Sequence, residues 1–180
     1  MEEAKRKFEK EREKIMSEIP ANVKAMFGQI GFAISEEYEE MLPILVLNPY
    51  DVPPKPVRDV YWFDMFSKAK RSKKLAKMSY LVYWYGSDDP EDCYSFIEQN
   101  DFESYEIGEK KGYGEIPKVI QDKIDEKLPL SDEDQGRVRA SEEMKEDIFK
   151  EPGERKRGVF IFKERHEMLG DAKDEKKRKR

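Results

Sequence analysis

Few residue types in this sequence could carry covalent or metal chemistry. The chain has one cysteine, Cys93, and one histidine, His166, far apart in the sequence. One of each is too few for a zinc site of cysteine and histidine ligands, and their separation disfavours a nucleophile–base pair. We therefore expect no metal and no internal disulfide. Carboxylates are numerous, but no spacing selects one pair for acid–base catalysis.

A glycine-rich stretch, 108–114, has two interpretations. Such a loop can wrap a phosphate, but this one lacks the Lys-Ser/Thr ending of a P-loop. The alternative is a turn before a helix. The nucleophile-elbow pattern G-x-S-x-G is also absent from the sequence. We therefore expect a protein that is not an enzyme and has no cofactor, since an enzyme acting on RNA or nucleotides would need a site built from carboxylates alone.

A dense basic cluster lies between residues 68 and 77, where the sequence has six basic residues and no acid. These side chains could contact nucleic-acid phosphates, which would give affinity and salt dependence without sequence specificity. The alternative is a solvated basic face. The candidate DNA-binding residues are Lys68, Lys70, Arg71, Lys73, Lys74 and Lys77.

Aromatic and acidic residues follow this cluster. Tyr83, Trp84 and Tyr85 are consecutive in a predicted strand, so alternation places Trp84 on the face opposite the two tyrosines. An aromatic face attracts a methylated ammonium group through cation–π interactions. The stretch 87–109 has nine acids and no base, and it would attract a basic peptide tail. The alternative is that these aromatics are ordinary core residues.

Five short apolar runs predict the strands that would position these side chains. They cover residues 28–34, 41–47, 80–86, 93–97 and 101–106. Short strands joined by short turns favour a small barrel over a parallel sheet. The sequence therefore predicts a mainly β fold with flanking helices, in which a five-stranded barrel carries a C-terminal helix and charged tails.

Helices are expected on both sides of these strands. Residues 2–18 are charged nearly throughout and predict a solvent-exposed helix that ends at Pro20. The segment 59–77 predicts a helix or a partly ordered insert, anchored by Tyr61, Trp62, Phe63 and Phe66. A second helical pattern after the barrel places four apolar residues on one face, namely Ile116, Val119, Ile120 and Ile124.

Composition divides the chain into three parts. Residues 1–22 form the charged helix, 23–130 the barrel with its C-terminal helix, and 131–180 an acidic linker, a short apolar run and a basic tail. The linker is expected to hold a short helix at 141–150. The run VFIF at 159–162 would either extend the barrel edge or bind a partner.

Charged residues make up 42% of the chain and apolar residues 37%, so the core must be concentrated in the central part. No apolar run is long enough to span a membrane, and the first residues lack the apolar core of a secretory signal. We therefore expect no membrane partner.

The order of these segments resembles a PWWP domain, a family of small five-stranded barrels in the Royal superfamily. The run GQIGFAI at 28–34 resembles the family's first strand, G-D-x-V-W-A-K. Pro43 and the strand after it stand where P-W-W-P ends and A-x-V follows. The run YLVYWYG at 80–86 resembles the third strand, which ends in F-F-G or a similar sequence.

The resemblance continues to about Leu128. Residues 92–102 are similar to the family's aromatic hairpin, and KGY at 111–113 resembles its K-G-F helix start. The proline-rich link at 52–54 is most similar to the PWWP domain of bromodomain–PHD finger scaffold proteins.

The resemblance implies a three-residue cage for a methylated histone lysine beside a DNA-binding surface. Trp84 matches the cage residue two positions before the third-strand glycine, and Tyr38 matches the one in the loop before P-W-W-P. Leu42 stands at the third position, normally a tryptophan, so one wall is aliphatic unless Met41 replaces it.

The leading hypothesis is a nuclear chromatin-binding module. It would bind a histone methyl-lysine tail weakly and nucleosomal DNA through the basic insert. The cluster KKRKR at 176–180 fits nuclear import, although it could equally be a soluble charged tail. The alternative is a scaffold subunit of a nuclear complex that has lost methyl-lysine recognition and uses the fold for protein or DNA contacts.

Overall fold

The computed structural model describes residues 2–89 and 92–155. The strands are β1 (Ile30–Ser35), β2 (Glu40–Val46), β3 (Tyr80–Trp84), β4 (Tyr94–Ile97) and β5 (Glu103–Ser104). The α-helices are α1 (Glu2–Glu18), α2 (Ala21–Lys24), α3 (Phe63–Arg71), α4 (Tyr105–Lys110), α5 (Lys118–Asp125) and α6 (Asp132–Ile148). A helical segment, Pro54–Trp62, leads directly into α3. Short 3-10 turns cover Pro49–Asp51, Leu75–Lys77, Gln99–Asp101 and Pro152–Glu154.

The five strands form one antiparallel sheet in the order β4-β3-β2-β1-β5. Strands β1 to β4 follow one another as a meander, and β5 returns to pair with Gly31 and Phe32 of β1. The predicted number of strands is therefore confirmed, but the sheet is open rather than a closed barrel. One cause is the shortness of β5, because the Ser104 hydroxyl accepts the Ile107 N–H and starts helix α4.

The prediction of a mainly β protein is wrong. Helices make up 54% of the described residues, and the strands are short. The helices that were not predicted include residues 54–58, α4 and the first half of α6. Tertiary packing of a few side chains holds such helices more than their intrinsic propensity does.

Both faces of the sheet are buried. One face carries Phe32, Leu45, Leu81 and Tyr83 and packs against the helices. The other face carries a smaller cluster, which comprises Ala33, Ile44, Val46, Tyr80, Val82 and Ile97. Continuous apolar runs rather than strict alternation are typical of strands buried on both sides.

The segment between β2 and β3 is helical over most of its length. Trp62 and Phe66 are buried and stacked, with ring centroids 4.8 Å apart. Phe63 lies edge-on to Trp62 and is half-buried. Tyr61 was predicted as a fourth anchor, but it is 55% exposed. The i, i+4 spacing puts Trp62 and Phe66 on one helix face and turns Tyr61 away from it.

Helix α1 is present as predicted and is in contact with the rest of the fold. Its exposed surface is charged, but Ile15 and Met16 pack on the main core. Nearer its start, the Phe8 ring meets the Tyr50 ring edge-on, and the Arg58 guanidinium lies over both rings. These contacts orient the helix at two points along its length.

The predicted apolar face of the helix near residue 120 is only partly correct. Helix α5 buries Ile120, while Val119 is 69% exposed. Ile124 is also exposed, and Ile116 precedes the helix, in which Pro117 is the N-cap. Besides Ile120, the ion pair between Lys123 and Asp134 of α6, at 3.2 Å, attaches this helix.

Helix α6 occupies most of the interval predicted as an acidic linker. It is longer than the expected helix at 141–150 and begins nine residues earlier. The chain after it is fixed by Arg155, whose guanidinium donates to the carbonyl oxygens of Asp147 and Gly28, each at 2.8 Å. The run at 159–162, His166 and the basic tail lie outside the described residues.

Candidate functional site

A cavity of about 450 Å³ opens at the end of strand β3. Three separate parts of the chain enclose it: the turn between β1 and β2, the residues that follow β3, and the first turns of α6. Its size lies within the range of side-chain and small-ligand sites. Its aromatic and aliphatic walls include Tyr38, Leu42, Trp84 and Tyr85.

The three predicted cage positions line this one cavity. Tyr38 is in the β1–β2 turn, where its backbone N–H donates to the Ser35 hydroxyl at 3.4 Å, and its side chain is 41% exposed. Leu42 is on β2 opposite Ala33. Met41 does not replace it, because the side chain of Met41 packs on the main core.

Trp84 is held in place at the end of β3. Its indole N–H donates to the Ser95 hydroxyl of β4 at 2.5 Å, and its ring packs on the second sheet face. Tyr83 and Tyr85 belong to the core on the other face, as alternation predicts. Of these three aromatic residues, Trp84 therefore combines a fixed orientation with a partly exposed ring.

Gly86 lets helix α6 approach the end of β3. Its φ of +83° favours glycine, and an added Cβ would lie 2.8 Å from the Ala140 nitrogen. Its N–H donates to a Glu143 carboxylate oxygen at 2.7 Å, and its carbonyl accepts from Arg139. The strand end and the helix are thus joined by reciprocal hydrogen bonds behind the cavity.

Buried polar contacts along α6 complete this support. The Tyr85 hydroxyl donates to the fully buried Asp147 carboxylate at 2.9 Å, and the Ser141 hydroxyl donates to the Gly114 carbonyl at 2.8 Å. Lys150 also pairs with Asp147, at 3.2 Å. These contacts fix the rotation of the helix, and with it the residues that face the cavity.

The cavity is strongly acidic. Two guanidinium groups also line it, but Arg137 pairs with Glu40, and Arg139 bonds the Gly86 carbonyl and lies 3.8 Å from Asp88. Partial burial raises the pKa of Tyr38, and the carboxylates of Glu37, Glu133 and Asp88 raise it further. The lining carboxylates are those of Glu37, Asp88, Asp89, Asp92, Asp132 and Glu133.

The contribution of α6 is the main part of the site that sequence reasoning missed. The helix supplies two of the lining carboxylates and both arginines. A signal was available, because Ser131 followed by three acids is a helix start, and the Ser131 hydroxyl accepts the Asp134 N–H at 3.1 Å. Because the remainder of the helix has few apolar residues, the sequence did not show that a long helix follows this start.

The basic residues lie at the opposite end of β3. Helix α3 and the turn Leu75–Lys77 precede the strand, which spans about 13 Å at 3.3 Å per residue from Tyr80 to Trp84. All six candidate DNA-binding side chains are exposed. Lys68 pairs with Asp64 at 3.0 Å, and Lys70 pairs with Glu18 at 2.8 Å.

The remaining four cations define what we call the basic surface. They form no ion pair with any described residue, and their side chains project from the end of α3 and from the turns that follow it. They are Arg71, Lys73, Lys74 and Lys77.

Packing explains two other features that the sequence singled out, Cys93 and the glycine at the start of the stretch 108–114. Cys93 is buried, and burial raises the pKa of its thiol to about 12, so it holds its proton at neutral pH. Gly108 lies within α4 against the Phe32 ring, which leaves no room there for a phosphate. Among the described residues, no three His, Cys, Asp or Glu side chains are grouped so as to hold a metal ion.

No family model matches this sequence, and comparisons with curated proteins and with solved structures gave no significant match. Within the described part of the chain, no helix is long and apolar enough to cross a membrane.

Proposed function

We propose that this protein is a PWWP-like, non-enzymatic chromatin-binding module. Its acidic cavity binds a methylated lysine of a histone tail, and its basic surface binds nucleosomal DNA. The observation that carries the proposal is the position of Tyr38, Leu42 and Trp84. These residues come from three separate strands or turns, and they line one cavity.

The electrostatics of the cavity support a cationic peptide as the ligand. Six carboxylates and two guanidinium groups line the cavity; Arg137 pairs with Glu40 outside the lining, and Arg139 lies 3.8 Å from Asp88, one of the six. A basic tail would be attracted and free DNA repelled from this end. The aromatic rings of Tyr38 and Trp84 add cation–π attraction for a methylated ammonium group.

The basic surface supports a second contact on the same particle. Its four cations are exposed and free of ion pairs with described residues, so phosphates can approach without breaking an existing interaction. Two weak contacts on one nucleosome reinforce each other through effective concentration. A nuclear location follows from this function.

The test is binding to nucleosomes with and without installed lysine methylation, beside free DNA at two salt concentrations. We expect a methylation-dependent gain that Trp84→Ala abolishes and that Trp84→Phe, the matched aromatic control, largely retains. Thermal unfolding of both variants checks that the sheet remains intact, since Trp84 also packs on its second face.

Two results would contradict parts of the proposal. Equal binding to methylated and unmethylated nucleosomes, sensitive only to salt, would remove the methyl-lysine function. It would favour a scaffold subunit that uses the fold for DNA or protein contacts, for which Leu42 in the cavity wall is the supporting observation. Binding that does not depend on salt would remove the DNA contact.

A further inference from the structure

We propose that the cavity selects mono- and dimethylated lysine over trimethylated lysine. This inference rests on the function proposed above and concerns the same cavity. It follows from which walls are aromatic, which are acidic, and which polar groups are already engaged.

The aromatic walls of the cavity are too few to enclose a trimethylammonium group. A trimethylammonium group has no N–H, so aromatic faces around it are its main source of attraction beyond simple charge. Here Tyr38 and Trp84 supply two faces, and Leu42 supplies contact area without a π-system. Tyr85 also lines the cavity, but its ring is 4% exposed and packs in the main core, so it offers no open face to the ligand. Met41 cannot supply a third soft wall because it packs on the main core. Trimethyl-lysine therefore meets an incomplete cage.

Two carboxylates of the cavity lining can accept hydrogen bonds from a ligand. Glu37 and Glu133 line the same cavity as Tyr38. Burial raises the pKa of Tyr38, and the carboxylates of Glu37, Glu133 and Asp88 raise it further. Neither Glu37 nor Glu133 pairs with a cation among the described residues. Charge-assisted hydrogen bonds to such carboxylates are stronger than neutral ones.

The methylation state of the lysine sets how many N–H groups it can donate. A monomethylated ammonium keeps two N–H groups and a dimethylated one keeps a single N–H, so each can donate to a carboxylate. A trimethylated ammonium cannot. Unmethylated lysine donates most, but it is a compact, strongly hydrated charge and offers no methyl groups to the aromatic and aliphatic walls. The intermediate states therefore combine both kinds of contact.

The cations in the cavity wall do not cancel this effect. Arg137 is engaged with Glu40, and Arg139 is engaged with the Gly86 carbonyl and with Asp88. Glu37 and Glu133 line the cavity with the aromatic pair and form no ion pair with a described residue. The proposal therefore depends on these two carboxylates and on Leu42.

The experiment measures binding of the full chain to histone-tail peptides, each prepared in four states from unmodified to trimethylated lysine. We expect mono- and dimethylated peptides to bind about threefold to tenfold more tightly than the trimethylated form, because a partly exposed, charge-assisted hydrogen bond is lost. Fluorescence anisotropy at low salt gives all four dissociation constants under identical conditions.

Two variants change the selectivity in opposite ways. Leu42→Trp supplies a third aromatic wall and should move the preference toward trimethyl-lysine. Glu133→Gln removes one acceptor charge and should weaken mono- and dimethyl binding more than trimethyl binding. Glu9→Gln on the exposed face of α1 is the matched control, because it changes net charge equally and lies outside the cavity lining. If Leu42→Trp does not fold, Glu133→Gln still tests the proposed selectivity.

The possible results distinguish a failure of the proposed selectivity from a failure of methyl-lysine recognition. Tightest binding of the trimethylated peptides would overturn the selectivity and leave the methyl-lysine function standing. Equal binding of all four states would overturn both the selectivity and methyl-lysine recognition, and so would a lack of binding in every state. The mono- and dimethylated peptides could also bind most tightly while Glu9→Gln and Glu133→Gln weaken that preference equally. This result would show an effect of net charge and would overturn the role given to the cavity carboxylates.

Discussion

The two ends of strand β3 carry opposite charge and are built in different ways. The basic surface comes from one continuous segment, and its side chains are exposed. The acidic cavity is assembled from the β1–β2 turn, the strand end and α6, and buried hydrogen bonds hold these parts together. Substitutions at the basic end should therefore change binding alone, whereas many at the acidic end should change stability as well.

Charge reversal at the basic end gives the largest expected effect. Replacing Arg71, Lys73, Lys74 and Lys77 together by glutamate should weaken DNA binding on the order of 100-fold at low salt, because four phosphate contacts are lost. The melting temperature should hardly change, since all four side chains are exposed. Titration of labelled duplex DNA at two salt concentrations measures the loss and the change in salt slope.

The matched control for that variant reverses four exposed lysines of helix α1, namely Lys5, Lys7, Lys10 and Lys14. It changes net charge by the same amount in another part of the molecule. If both variants lose DNA affinity equally, overall charge is the cause and the basic surface has no special role.

Gly86→Ala tests the acidic end next. It should lower the free energy of unfolding by about 2 kcal/mol, because the position has a φ of +83° and the new Cβ would press on α6. Binding to free DNA should stay unchanged. Urea denaturation measures the loss, with Gly112→Ala as control, since Gly112 has a φ of +80° and no atom within 4 Å of an added Cβ. Equal losses would mean that contact with α6 contributes nothing.

Tyr38→Ala isolates ligand contact from folding. We expect binding of a methylated histone peptide to weaken about two- to fivefold, the value of one cation–π contact at an exposed site. Stability should be unchanged because the side chain projects from a turn. Tyr38→Phe keeps the ring and should keep the affinity. Loss of affinity in both variants would instead assign the contribution to the hydroxyl group.

Glu18→Gln gives the smallest expected effect. Its carboxylate pairs with Lys70 at 2.8 Å, so removing the charge frees a cation beside the basic surface. DNA affinity should rise about twofold, since exposed ion pairs and single phosphate contacts are weak. Comparison with Glu9→Gln distinguishes release of Lys70 from the general loss of a negative charge. An equal rise in both would contradict the local explanation.

The same contrast explains what could be predicted from sequence. The strands were located because apolar runs such as 41–47 and 80–86 are long enough to be recognised, and the basic cluster is visible directly in the sequence. The three cavity residues were suggested by the order of motifs. Their convergence depends on the register between β1, β2 and β3.

A helix was expected at 141–150, but the full length of α6 was not predicted, because its buried face carries little hydrophobic signal. That face consists of Ala140, Ser141, Met144 and Asp147, two of which are polar. They are buried because specific partners, the Gly114 carbonyl and the Tyr85 hydroxyl, lie more than 25 residues away in sequence. The prediction of a closed barrel was wrong for a similar local reason. Strand β5 has only two residues, because Ser104 caps the start of helix α4.

Arg155 has a consequence for the order in which the chain folds as it is synthesised. Its guanidinium joins the end of α6 to the Gly28 carbonyl, 127 residues earlier and just before β1. A growing chain extends from its N-terminus at about 5–20 residues per second, so the first strands leave the ribosome many seconds before this partner exists. During that interval the sheet face beneath α6 is uncovered, and nascent chains stalled before residue 131 should therefore be recognised by chaperones.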